Sequence, residues 1–206
     1  LRSLVGSEMC IRDSRYSAPM TAPTVAELGA FFDEQYQGDG LKVAEVLKQG
    51  PLSKAGCRVK AGCIIEQIDG QAVKAGEDYF PLLAGKVGKR VMLSVYAPAT
   101  GKRFDEQVKP VSPGVVSGLL YKRWVEQRRE MVDRLSGGRL GYVHVKGMDS
   151  QSFREVYSEL LGRCRNKEAV IVDVRHNGGG WLHEDLAVLL SGKEYQRFEP
   201  RGQYIG

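Results

Sequence analysis

The stretch AVIVDVRHNGGG, Ala169 to Gly180, decides the fold. Val170, Ile171, Val172 and Val174 make a short β-branched run with charge before it and glycine after it. That composition predicts a strand over 170–175 buried on both faces, as inside a parallel or mixed sheet. The run breaks into Asn177-Gly178-Gly179-Gly180, where the backbone can take positive φ and no side chain blocks a ligand. WLHEDLAVLL follows at helical spacing, so the glycines belong to a strand-to-helix turn. Free N–H groups at such a turn, helped by the helix dipole, can hold an anion or an oxyanion. The same letters also fit a tight turn with no further role.

Upstream of this strand, RLGYVHVKGM (139–148) alternates as a second strand. Asp149 or Ser150 then caps a helix whose apolar face is Phe153, Val156, Tyr157, Leu160 and Leu161. Strand, helix, strand is a crossover unit, which predicts a parallel, right-handed pair. Before it, Gly114 to Leu135 reads as a hinge and a helix with Leu120, Trp124, Arg128, Met131 and Leu135 along one stripe. Ser136-Gly137-Gly138 stops that helix.

From Glu27 to Pro110 the pattern shortens. LGAFF and LKVAEVL are strand-like runs split by QGDG. A short helix around Leu52 to Ala55, a turn at Gly62, the strand IIEQI and a turn at Asp69-Gly70 follow. A helix at about Glu77 to Ala84 and a hairpin of RVMLSVYAP with KRFDEQVKPV close a small, partly open barrel.

Composition narrows the function classes. The 206 residues carry a net charge of +5, but Lys and Arg are mixed with acids, as in YKRWVEQRREMVDR. No one-sided basic stripe with interleaved aromatics marks a nucleic-acid partner. No apolar run reaches membrane-spanning length. Cys10, Cys57, Cys63 and Cys164 lack metal-ligand spacing and read as buried free thiols. His144 reads as a structural histidine, and His183-Glu184 lacks the second histidine of a zinc helix. Asp173 reads as a loop-ordering carboxylate.

Residues 1–14, LRSLVGSEMCIRDS, fit neither a signal peptide nor the chain that follows. They look like a translated sequencing-adaptor read, and are expected to be non-native. Residues 15–26, rich in Pro, Ser, Thr and Ala, read as a linker.

The segment at 27–112 resembles a PDZ domain. Leu28-Gly29-Ala30-Phe31, Gly50-Pro51, Ala55-Gly56 and Ile64 to Gly70 carry the likeness, with Cys63 standing where the family commonly has Asp. The likeness implies that a peptide adds as an extra strand beside Leu28, Gly29, Ala30 and Phe31. A small β-domain serving as a spacer is the other reading.

That domain, the helix YKRWVEQRREMV, the strand LGYVHV, an amphipathic helix and VIVDVRHNGGG, in this order, resemble the tail-specific (C-terminal-processing) serine peptidases of the tricorn type. The resemblance implies an α/β (α+β) chain: a PDZ-like partly open barrel at 27–112, then the N-terminal portion of a βαβ-containing, crotonase-like peptidase core at 113–206. It implies a serine nucleophile, a histidine base, no metal and no cofactor. Gly180 and then Gly179 are the expected oxyanion amides, with His176 near substrate. The family's histidine lies upstream of a stretch like Arg15-Tyr16 and its serine beyond Gly206, so an inactive internal fragment is expected. Ser17 and Ser191 do not sit where a replacement nucleophile would. Peptide or protein substrates, by their C-termini in some relatives, are the implied partners; the likeness leaves homo-oligomers open. Relatives occur inside cells and in the bacterial envelope, which leaves the compartment undetermined. A non-catalytic PDZ adaptor and, more remotely, an acyl-thioester enzyme of the crotonase type are the competing classes.

Overall fold

The computed structural model describes residues 23–192. The 1–14 segment with Cys10, most of the 15–26 linker with Ser17, and the end of the chain beyond Gly192 lie outside the described residues. The chain divides after Ser117 into two compact units.

The first unit is an antiparallel sheet. Its strands are β1 (Ala30–Phe32), β2 (Leu41–Val46), β3 (Ile64–Ile68), β4 (Gln71–Ala72), β5 (Val91–Ala97) and β6 (Lys102–Val108). They run in the order β1-β2-β3-β5-β6, with β4 paired to β3. A reciprocal main-chain pair between Glu27 and Val111 ties the segment before β1 to the segment after β6 without closing a barrel. Asp69 and Gly70 both take positive φ, the requirement of the tight β3–β4 turn. The core is aliphatic: Leu28, Val43, Leu52, Ile65, Ile68, Leu83, Leu93 and Val95 are buried together. The 3₁₀ turn Pro51–Ser53 covers one end. Helix α1 is only Phe80–Leu83, shorter than the expected Glu77 to Ala84. Asp78 accepts from the Phe80 amide and Pro81 opens the turn, so the chain becomes helical late.

The second unit holds most of α2 (Pro113–Ser136), then β7 (Leu140–His144), α3 (Ser150–Leu161), β8 (Ala169–Asp173) and α4 (His183–Ser191). β7 and β8 are parallel, with Leu140 opposite Ala169 and His144 opposite Asp173. Asp149 caps α3, accepting from the Ser152 amide at 2.8 Å. One face of the sheet packs Val143, Val145, Val170 and Val172 against Val156 of α3 and Leu186 of α4.

Three burial expectations are corrected. β8 is not buried on both faces: Ile171 is 43% and Val174 52% exposed. Among the described residues β8 pairs only with β7, and on the face that carries Ile171 cover reaches Asp173 but not Ile171. On α2, the expected apolar stripe is only partly covered: Leu120, Met131 and Leu135 are exposed, while Trp124 and Arg128 are half-buried. Of that stripe it is Trp124 that docks on β7, against His144, and sets the rotation of the helix. On α3, Tyr157 and Leu161 are exposed while Phe153, Val156 and Leu160 pack inward. Cys63 and Cys164 are buried free thiols as expected, whereas Cys57 is only half-buried.

Candidate active-site turn

β8 delivers the chain into a turn braced from three directions. Asp173, 7% exposed, ends the strand. It accepts from the Tyr142 hydroxyl at 2.7 Å, the Arg175 amide at 3.0 Å and the Arg175 guanidinium at 2.5 to 3.0 Å. The guanidinium and these further donors hold the carboxyl well below the usual carboxylate range, against the opposing effect of burial. Burial and the bond to Asp173 push the Tyr142 phenol up to about 12. The carboxylate therefore orders the loop rather than handling protons.

Next to it lies an aromatic knot. The His144 Nε2 faces the Arg175 carbonyl at 2.7 Å, and Nδ1 faces the Tyr121 hydroxyl at 2.8 Å. A carbonyl only accepts, so Nε2 carries the proton, and in the neutral ring Nδ1 accepts from Tyr121. Both nitrogens are engaged, which makes His144 structural. Trp124 meets His144 edge-on at 4.9 Å and His176 at 5.8 Å. The guanidinium groups of Arg128 and Arg175 lie 5.5 and 5.4 Å from its centroid. Trp124 is thus an anchor, and what it anchors is the entry to the turn.

The turn itself is then tied down by Asn177. Its Nδ2 donates to the Val145 carbonyl at 2.9 Å, and its Oδ1 accepts from the Gly179 amide at 2.8 Å. His176 takes φ +63°, a conformation side chains avoid, and is exposed. Gly180 takes φ +147°, and a Cβ there would lie 2.6 Å from Met148 Cβ, so only glycine fits. Among the described residues, no partner meets the amides of Gly178 or Gly180, and both residues are exposed. Of the two expected oxyanion donors, Gly179 is therefore engaged locally and Gly180 is open. Glu184 and Asp185 in the first turn of α4 already offset that helix's dipole. Any anion here would rest on the turn's amides. Trp181 beside them is 88% exposed.

The expected peptide-binding residues sit in the first unit. Leu28 is buried in the core, Gly29 takes φ +70°, Ala30 and Phe31 begin β1, and the Phe31 ring is exposed. Phe32 meets Tyr79, just before α1, edge-on at 5.7 Å. Ser191 ends α4 with its hydroxyl donating to the Ala187 carbonyl. Among the described residues no group of three His, Cys, Asp or Glu is placed to hold a metal. No helix among them is long and apolar enough to cross a membrane.

The residues that sequence reasoning passed over are Tyr142, Arg175 and Tyr121. Two i, i+2 pairs, Tyr142 with His144 and Asp173 with Arg175, were the visible sign that one face of this sheet is polar.

The open antiparallel sheet from β2 onward, with its two short helical turns, falls within a PDZ-domain match, and the parallel strand pair that ends in a braced glycine turn falls within a peptidase-family match. Residues 33–112 match the family model of the tricorn protease PDZ domain, and residues 139–204 match peptidase family S41. The chain belongs to the tail-specific serine peptidases, in their tricorn-type branch. It is 37% identical over 154 residues to Tricorn protease homolog 1 of Streptomyces coelicolor, covering 75% of this chain and 14% of that protein. It is 32% identical over 186 residues to the tricorn protease homolog of Saccharolobus solfataricus, covering 84% and 17% respectively. The crystal structure of the tricorn protease superposes with a TM-score of 0.69 at 25% identity, over 88% of this chain and 18% of that one. The chain thus spans about a sixth of the length of such relatives.

Proposed function

We propose that this chain is part of a serine-type peptidase, in which Gly180, seconded by Gly179, supplies main-chain amides to the oxyanion of a peptide under attack. The observation that carries the reading is the Gly180 amide: on an exposed residue, without a partner among the described residues, and held at φ +147° by a turn that three side chains brace. Such a donor needs no reorganisation when charge develops on the carbonyl oxygen, which is how it lowers the barrier. Gly179 can join only by releasing Asn177 Oδ1.

In this reading residues 27–112 form the PDZ-like domain and 113–206 the N-terminal portion of the peptidase domain. Leu28, Gly29, Ala30 and Phe31 receive a peptide strand or its C-terminus, and His176 contacts substrate beside the turn. The serine nucleophile and histidine base come from outside these 206 residues, so this chain alone does not hydrolyse peptides. No metal or cofactor takes part.

The test uses the protein encoded by the intact gene. Labelling by an active-serine probe, hydrolysis of peptides, and a loss of kcat in Gly180→Ala with peptide affinity retained are expected. Peptide binding with neither labelling nor hydrolysis would leave a non-catalytic PDZ protein.

A further inference from the structure

The side chain of Asn177 replaces a missing rung of the β7–β8 sheet. Val145 is buried, and its amide donates to the Asp173 carbonyl at 2.8 Å, one step beyond the last paired residues of the parallel ladder. Were the ladder to continue, the Val145 carbonyl would accept from the Arg175 amide. That amide instead donates to the Asp173 carboxylate at 3.0 Å. Asn177 Nδ2 takes its place on the Val145 carbonyl at 2.9 Å.

The other end of the same carboxamide holds the turn. Oδ1 accepts from the Gly179 amide at 2.8 Å, and the Asn177 amide donates to the Val174 carbonyl at 3.2 Å. A carbonyl only accepts and a main-chain N–H only donates, so these two partners fix which end of the group is oxygen. The position needs one donor and one acceptor on a short stem. Ionised aspartate offers acceptors alone and would set its charge against the Val145 carbonyl, and alanine offers neither. His176, just before, stands at φ +63°. Such a conformation persists only where its surroundings over-determine it. Here the Arg175 carbonyl is fixed by His144 on one side, and Asn177 is fixed by three bonds on the other.

Granted the reading of Gly180 as oxyanion donor, on which this rests, we propose that Asn177 is the positioning residue of that site. It withholds the Gly179 amide and fixes where the Gly180 amide stands, so the turn offers the oxyanion Gly180 without Gly179. Asn177 acts through the main chain and touches no reacting atom. Its loss therefore lowers kcat and leaves peptide affinity in place.

The test has a structural arm and a kinetic arm. Amide hydrogen exchange, followed by NMR on the 206-residue chain, should find Gly179 protected by at least about tenfold over Gly178 and Gly180, and Asn177→Ala should abolish the difference. In the protein encoded by the intact gene, Asn177→Asp and Asn177→Ala should each lower kcat by about 10²-fold with KM within about twofold. Here kcat is counted per site labelled to saturation by an active-serine probe. That count removes any unfolded fraction, so a purely structural role would leave kcat unchanged. The role of Asn177 is overturned if the parent's Gly179 amide exchanges as fast as its neighbours, or if Asn177 variants keep the parental kcat while Gly180→Ala loses it; the reading of Gly180 then still stands. A Gly180→Ala protein with parental kcat would remove that reading, and the role of Asn177 with it. The exchange measurement on the parent stands by itself should a variant fail to fold.

Discussion

The main-chain carbonyl of Arg175 accepts from the Nε2–H of His144 at 2.7 Å, joining the end of β7 to the first residue pair of the glycine turn. The imidazole is also held by the Tyr121 hydroxyl and by Trp124, so one ring couples α2, β7 and the turn. This is an ordering device rather than a proton relay.

His144→Phe should keep the edge-on ring contact with Trp124 and lose both hydrogen bonds. It leaves the Arg175 carbonyl and the Tyr121 hydroxyl short of a partner, at a cost of about 1–3 kcal/mol. Tyr121→Phe removes one bond and should cost about 1 kcal/mol. Urea denaturation of the chain and both variants checks this. A His144→Phe chain as stable as the parent would mean that the bonds do not brace the turn.

The three turn glycines should respond in graded fashion to alanine. At Gly178 a Cβ meets open space and φ is unremarkable, so little change is expected. At Gly179 the space is open but φ is +79°, costing about 1–2 kcal/mol. At Gly180 strain at φ +147° adds to overlap with Met148, and the cost should exceed about 2 kcal/mol. In the intact protein, displacing this amide from its position should lower kcat by up to about 10²- to 10³-fold. Thermal denaturation and steady-state kinetics would rank them. An inverted ranking would contradict the geometry of the turn.

Stability should fall at both ends of the pH range, for different reasons. The folded-state pKa of Asp173 is depressed, chiefly by Arg175. Its contribution is full above the unfolded value of about 3.9 and drains away as pH falls through the folded value. The Tyr142 phenol is raised to about 12. Its contribution is full below about 10, the unfolded value, and is lost as pH rises from there toward 12. Asp173→Asn should flatten the acid limb and Tyr142→Phe the alkaline limb in urea midpoints taken across pH. Unchanged limbs would mean that other groups dominate.

Gly141 on β7 is a packing glycine. A Cβ there would stand 2.7 Å from Cys164 Sγ, 3.1 Å from Cys164 Cβ and 3.3 Å from Val170 Cγ2. Gly141→Ala should destabilise by about 1–3 kcal/mol through overpacking. Removing the sulfur with Cys164→Ala should recover about 1 kcal/mol of that in the double variant, a coupling read by a double-mutant cycle. Strict additivity of the two costs would show that the methyl and the thiol never meet.

Much of the fold was legible along the chain, because its determinants are local. Ile64 to Ile68 matches β3 residue for residue, and the Asp69-Gly70 turn follows directly. Asp149 was readable as a cap, and the strand–helix–strand order implied the parallel pairing of β7 with β8. The position of the glycine turn followed from where a β-branched run meets three glycines. Periodicity and turn chemistry act over a few residues, so no partner is needed to read them. What faces what could be settled only by packing. The rotation of α2 depends on Trp124 finding His144, and the exposure of β8 depends on which strands stand beside it. Whether the amide of Gly179 or Gly180 is open depends on an Asn177 side chain that bridges to Val145, 32 residues away in sequence. Contacts between distant residues exist only once the chain has closed on itself, and these contacts engage the Gly179 amide and leave those of Gly178 and Gly180 open.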